Sequence, residues 1–228
     1  MTRIDPDPRF PVASFADPHP YGYLYAGRTV DPPRHVPLVR SSPERDAVLA
    51  SWRTVAGRLE ALPEVVSATA YRARLIPPLA GVPRHDALLL VRTTSVAAIP
   101  TVQAAPAYAQ LDLDFAISAR NARRIGDTDR TRSGTFLFNH FTADDPDCAL
   151  AVWETLTGWY LDEIGVDNST VLQPTGDTRY AFVNYVRLPG GPLRFLLGQL
   201  ARPTFHSFVR SRLSAHHMRA LPVLCEPV

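Results

Sequence analysis

Six side chains in the second half of the chain have the types and spacing that chemistry needs. Asn139 and His140 sit side by side in the apolar run Gly134–Thr142, and Asn184 and Tyr185 sit side by side in a second such run. Trp153 and Tyr160 lie on the amphipathic stretch between those runs. Histidine is the usual proton carrier near neutral pH, so His140, Asn184 and Tyr185 form the candidate catalytic set. Asn139, Trp153 and Tyr160 would supply amide and aromatic contacts to a bound substrate. Such a set suits binding and deprotonation of a phenolic or enolic small molecule, which O2 then attacks. The competing reading makes His140 a core histidine with both nitrogens satisfied, as buried polar groups mostly are. Trp153 and Tyr160 fall at helical spacing, where such residues are more often core than site.

A second group, His206, His216 and His217, falls near the C-terminus. His206 and His217 are eleven residues apart, about three helical turns, hence on one face but too distant to share one metal ion. No metal site is expected. A single histidine, His206 or His216, suffices as an axial haem ligand. A histidine pair at a helix C-terminus is also favourable against the helix dipole alone.

Composition removes other chemistries. All 24 basic residues are Arg, and without lysine no Schiff base, pyridoxal phosphate anchor or Walker motif is available. Cys148 and Cys225, the two cysteines, stand in separate elements, which excludes a zinc ribbon, an iron–sulfur cluster or a CxxC redox pair. A net charge of +2 gives no reason to expect a nucleic-acid partner. No apolar run reaches the ~18 residues of a membrane span. The N-terminus lacks the apolar core of a signal peptide, so a cytoplasmic location is expected.

The elements that must position these residues follow from caps and periodicity. Residues 1–40 are rich in proline and carry Tyr21, Tyr23 and Tyr25; they read as an ordered arm with one edge strand. Ser42-Pro43-Glu44 starts a helix that ends before Pro63. Val65–Ile76 and Ala87–Val91 read as strands, Val96–Leu111 as a helix weakened by Pro100 and Pro106, and Phe115–Ala119 as a short strand. Arg120–Arg132 has the polarity of a connector; its five Arg are read as solvated rather than as an anion site. Beyond it come a strand over Thr135–Phe141 and a helix capped by Asp145-Pro146 and closed by Gly165. Strands over Ser169–Gln173 and Tyr180–Leu188, a helical stretch from Leu193 to His217 broken at Pro203, and a strand over Leu221–Cys225 complete the chain.

The second half therefore reads strand, helix, strand, strand, helix, strand, and the first half repeats that order from Ser42. Tyr21–Val30 is the best opening strand, since Pro37 counts against His35–Val39. The predicted fold class is α+β, with an arm at 1–40 and two tandem ferredoxin-like βαββαβ repeats at 41–125 and 126–228. Phe136–Phe141 and Tyr180–Leu188 are apolar on both faces, so each sheet must meet a second sheet as well as its helices, with a hollow expected between the sheets.

This layout, over residues 42–228, resembles the dimeric α/β-barrel superfamily in its two-repeat form. That superfamily includes cofactor-independent mono-oxygenases of polyketide-type aromatics, haem enzymes related to chlorite dismutase, and muconolactone-isomerase-like proteins. The resemblance implies a small-molecule enzyme that needs no cofactor, with its pocket in the second repeat. Its alternative is a peroxidase-like protein with haem in that repeat, on His206 or His216. A non-catalytic ligand-binding or assembly module is the third reading, because so widespread a fold fixes no function. Association into a homo-oligomer through sheet or helix faces is expected.

Overall fold

A computed structural model of the protein describes residues 4–34 and 37–228. His35 and Val36, at the start of the proline-containing His35–Val39 segment, lie outside the described residues. Eight strands close into a barrel: β1 (Gly22–Arg28), β2 (Val65–Leu75), β3 (Ala87–Thr93), β4 (Phe115–Ile125), β5 (Phe136–Thr142), β6 (Ser169–Pro174), β7 (Phe182–Arg187) and β8 (Arg219–Pro227). Around the ring they run β1-β3-β2-β8-β5-β7-β6-β4, and every pairing is antiparallel. Each half has the ferredoxin-like order with its fourth strand beside its first. The halves join where β2 meets β8 and where β4 meets β6.

Residues 22–28, expected to form an edge strand, instead pair on both sides, with β3 and β4. Closure of the barrel removes the edge. Strand β4 continues well past Ala119, so half of the expected connector is sheet, with Arg123 bound to Glu154. The helix expected over Val96–Leu111 breaks into a 3-10 turn, the short α2 (Ile99–Gln103) and another 3-10 turn at Tyr108–Gln110. Pro100 and Pro106 lack the N–H that a continuous ladder requires.

The predicted caps hold. Ser42 Oγ accepts the Arg45 N–H at the start of α1 (Pro43–Glu60). Asp145 accepts from the amides of Asp147 and Cys148 at the start of α3 (Pro146–Trp159). Helix α3 passes into a π-helical turn, Tyr160–Ile164, closed by Gly165 at φ 76°. The last helical stretch splits into α4 (Pro192–Leu200), a π-helical turn at Phe205–Arg210 and α5 (Ser211–Ala215). Among the described residues no helix is long and apolar enough to cross a membrane.

Two cores occupy the two sides of the first repeat's sheet. Leu24, Ala68, Leu89 and Val91 face outward and pack under Trp52, Val55 and Leu59 of α1. Tyr23, Tyr25, Tyr71, Leu88 and Leu90 face inward, where they meet Phe136, Phe138 and Tyr185 of the second repeat. The inward set fills the barrel. Tyr25 stacks on Phe138 with ring centroids 4.6 Å apart, Phe138 on Tyr185 at 5.0 Å, and Tyr185 on Phe136 at 5.5 Å. The hollow expected between the two sheets is therefore occupied by aromatic side chains, whose burial is worth more than an empty lumen.

The N-terminal arm straps α3. Ala13 N donates to Thr157 Oγ1 at 3.1 Å, Phe10 packs on Phe208, and Ala16 N donates to the Arg124 carbonyl. A Cβ built on Gly158 would lie 2.0 Å from the Pro11 carbonyl oxygen. Only glycine lets the strap approach this closely.

Candidate active site

Strand alternation separates the predicted site residues into two groups. His140 and Tyr185 point into the filled barrel. His140 is fully buried; its Nδ1 lies 3.0 Å from the Leu221 carbonyl and its Nε2 3.0 Å from the Tyr25 hydroxyl. The carbonyl can only accept, so Nδ1 carries the proton and Nε2 accepts from Tyr25. Burial pulls the His140 pKa down to about 3, which leaves the ring neutral. Tyr185 OH donates to Asp129 Oδ1 at 3.0 Å and lies 2.9 Å from the Tyr71 hydroxyl. Placing His140 and Tyr185 on a cavity is thus corrected: the residues of β5 and β7 that reach one are their neighbours.

Asn139 and Asn184 face outward, directly opposite each other in the β5–β7 ladder, beneath the helices of the second repeat. Between sheet and helices lies a cavity lined by Leu137, Asn139, Phe141, Ser169, Asn184 and Val186 from the strands and by Leu188 just past β7. Trp153, Leu156, Thr157, Tyr160, Phe195, Val209 and Leu213 line it from the helices. The centre of a water-sized sphere can occupy about 50 Å³ of it, within roughly 590 Å³ of atom-free space that includes the opening to solvent. The corresponding outer face of the first repeat is closed by the side chains of α1.

Polarity in the cavity is concentrated on the two asparagines. Ser169 Oγ donates to Asn184 Oδ1, which turns the Asn184 amide so that its NH2 is the end left for a ligand. Asn139 Oδ1 is buried without a hydrogen-bond partner. An unmade bond of that kind costs about 1–3 kcal/mol, and a ligand hydroxyl would supply it. Asn168, a lining residue that sequence reasoning missed, is spent on structure: it bonds the Asp167 carboxylate and both the N–H and the C=O of Arg187. Tyr160 faces Gln199 Oε1 at 3.5 Å, and burial raises its phenol pKa. The lining holds no Arg, His, Asp or Glu, so the cavity favours a neutral guest.

The last-helix histidines are elsewhere. His206 is exposed, its Nε2 donating to the Leu200 carbonyl at 2.9 Å. His216 lies 3.9 Å from Cys148 Sγ at the start of α3. Neither belongs to the cavity lining, which also lacks Cys and Met. The residues present do not fit a haem held there by an axial histidine. Among the described residues no cluster of His, Cys, Asp and Glu could hold a metal ion.

Solved structures share the architecture. An anthrone oxidase-like protein superposes with a TM-score of 0.61 over 93% of this chain and 92% of its own, at 12% identity. This is the two-repeat dimeric α/β-barrel fold. A candidate monooxygenase of Fusobacterium nucleatum superposes at 0.54, with 7% identity over 92% of this chain and 93% of that one. A mutant chlorite dismutase of Candidatus Nitrospira defluvii gives 0.51, with 12% identity and 92% of each chain covered. At such identities the likeness establishes the fold alone. No family model matches the sequence, and no curated protein matches it.

Proposed function

We propose that the second repeat is a small-molecule enzyme site of the cofactor-independent mono-oxygenase or isomerase type, acting on a neutral phenol or enol. The observation that carries this reading is the unpartnered, buried Asn139 Oδ1 beside the Asn184 amide in a mostly apolar cavity. A hydroxyl donating to Asn139 and an oxygen accepting from Asn184 Nδ2 would hold the polar edge of a ligand. Trp153, Phe141 and Leu156 would cover its aromatic body. The hydroxyl proton leaves to solvent through the cavity's opening, and Asn184 Nδ2–H donates to the conjugated oxygen that shares the charge. O2 then adds to the electron-rich carbon, one oxygen atom staying there as a carbonyl and the other leaving as water, with the substrate supplying all four electrons. His140 is excluded as the base by its position behind the sheet.

A second reading, a non-catalytic binding module, is favoured by one observation: Tyr160 is the only titratable group in the lining, and its raised pKa makes it a poor base. Incubation with a panel of phenols and enolisable ketones under 18O2 separates the two. One 18O atom appearing in product, and failing to appear with Asn139→Leu, supports the enzyme; saturable binding without turnover supports the module.

Copies of the chain associate, on this reading, through α4. Leu193, Leu197 and Leu200 form an exposed stripe on it, and the closed barrel has no free strand edge to offer instead.

A further inference from the structure

The barrel mouth beneath the inter-repeat loop, residues 126–135, holds more buried donors than acceptors. Asp129 dips into this mouth, accepting from Arg92 Nη1 at 2.8 Å and from Tyr185 OH at 3.0 Å. Both of its oxygens are thereby engaged. The Tyr23 hydroxyl, Arg92 Nε, and Arg187 Nε and Nη2 remain buried with no hydrogen-bond partner. Asp129, bonded to both Arg92 and Tyr185, ties the two ladders that carry these groups at one end of the barrel. Tyr23 stands opposite Arg92, while Arg187 stands opposite Phe136, two residues beyond Tyr185 on the same inward face.

Charge is unbalanced as well. Arg92 is matched by Asp129, and Arg130 by Asp167 at 3.3 Å. Arg187 Nη2 comes only within 3.9 Å of that same Asp167, whose side chain is 51% exposed while the Arg187 side chain is 11% exposed. The other nearby carboxylates are occupied: Glu226 by Arg74, and Asp127 by the Asp129 amide. Water can satisfy spare N–H groups, but it does not neutralise a buried guanidinium, whose desolvation is unfavourable unless an opposite charge offsets it. A cleft lined by Arg132, Ser133, Thr135 and Glu226 opens beside the first residue of β5, the strand partner of Arg187.

We propose that this mouth is a binding site for a small oxyanion, held on the Nε–Nη2 edge of Arg187, with Arg92 Nε and the Tyr23 hydroxyl as further donors. The guanidinium edge matches two oxygens of a phosphate or carboxylate. The inference is independent of the function proposed for the cavity on the other side of the sheet. Of the arginines in the 120–132 stretch, Arg130 belongs here, occupying the carboxylate that Arg187 would otherwise use.

The test titrates inorganic phosphate, and separately acetate, into the full chain at constant ionic strength set with sodium chloride. Melting temperature and 31P line width are followed. The expected result is a saturable rise in melting temperature and saturable 31P broadening that sulfate reverses. Arg187→Gln abolishes both effects, and Tyr23→Phe weakens binding roughly tenfold, the worth of one hydrogen bond to a charged acceptor. Arg53→Gln, on the exposed side of α1, leaves them unchanged. A response to acetate but not phosphate assigns the site to carboxylates. If Arg187→Gln does not fold, competition between sulfate and phosphate on the wild-type chain decides. Equal effects of phosphate, acetate and chloride, or a broadening that never saturates, overturn the proposal.

Discussion

Asn139 and His140 are consecutive in β5, yet they look out of opposite faces of the barrel wall. Asn139 meets the cavity under α3, and His140 meets Tyr25 in the packed interior. The residue with the more familiar catalytic chemistry is a structural one, and its plainer neighbour carries the unmet hydrogen bond.

His140 makes stability pH-dependent. Its folded pKa is depressed to about 3, below the ordinary histidine value of about 6.5, so the unfolded chain binds the extra proton between those values. The contribution is complete above about pH 6.5 and is lost as pH falls toward 3, amounting to several kcal/mol. Urea denaturation at pH 7.5 and pH 5 should show a drop in the wild type. His140→Gln should be less stable at pH 7.5 and should show a smaller drop between the two pH values. An equal drop in both proteins would show that another group titrates.

Most of the architecture was legible because it is written in local rules. Ser42-Pro43, Asp145-Pro146 and Gly165 fix helix ends through capping and φ alone, and strands apolar on both faces required two covering layers. The lumen was not legible. Whether Tyr25, Tyr71, Phe138 and Tyr185 leave a hollow or fill it depends on side-chain volume across strands far apart in sequence. The Asn139/His140 alternation could be read from β5, but which face held the cavity could not. That depends on how α3, the π turn at Tyr160 and α5 sit over the sheet. The strap by Gly158 had no local signal either, because its partner Pro11 lies in the irregular segment ahead of β1.

Gly158 couples that strap to the cavity roof. Alanine there would push the Pro11 carbonyl away and strain the adjoining Thr157–Ala13 hydrogen bond. A loss of about 1–3 kcal/mol is expected, the usual cost of overpacking. Hydrogen exchange should rise in residues 4–17 and in α3, while β1–β4 stay protected. Unchanged exchange in the arm would show that the strap does not depend on this contact.

Leu197, at 61% exposure the most open of the α4 leucines, tests self-association. With Leu193 and Leu200 it forms a stripe of the kind that marks an interface. Light scattering after size exclusion should give a multiple of 25.2 kDa for the wild type and a smaller species for Leu197→Glu. A wild-type chain that stays monomeric at high concentration would contradict an α4 interface.

The central claim, that Asn139 and its outward cavity receive a neutral hydroxyl-bearing aromatic, is tested most directly by calorimetric titration of 2-naphthol and naphthalene. Binding should be saturable for 2-naphthol and weaker for naphthalene. Asn139→Leu should reduce the 2-naphthol affinity about tenfold or more, as loss of a buried hydrogen bond implies, and Tyr185→Phe should leave it unchanged. Equal affinity for the two ligands, or an Asn139→Leu chain that binds 2-naphthol as well as the wild type, would contradict the account.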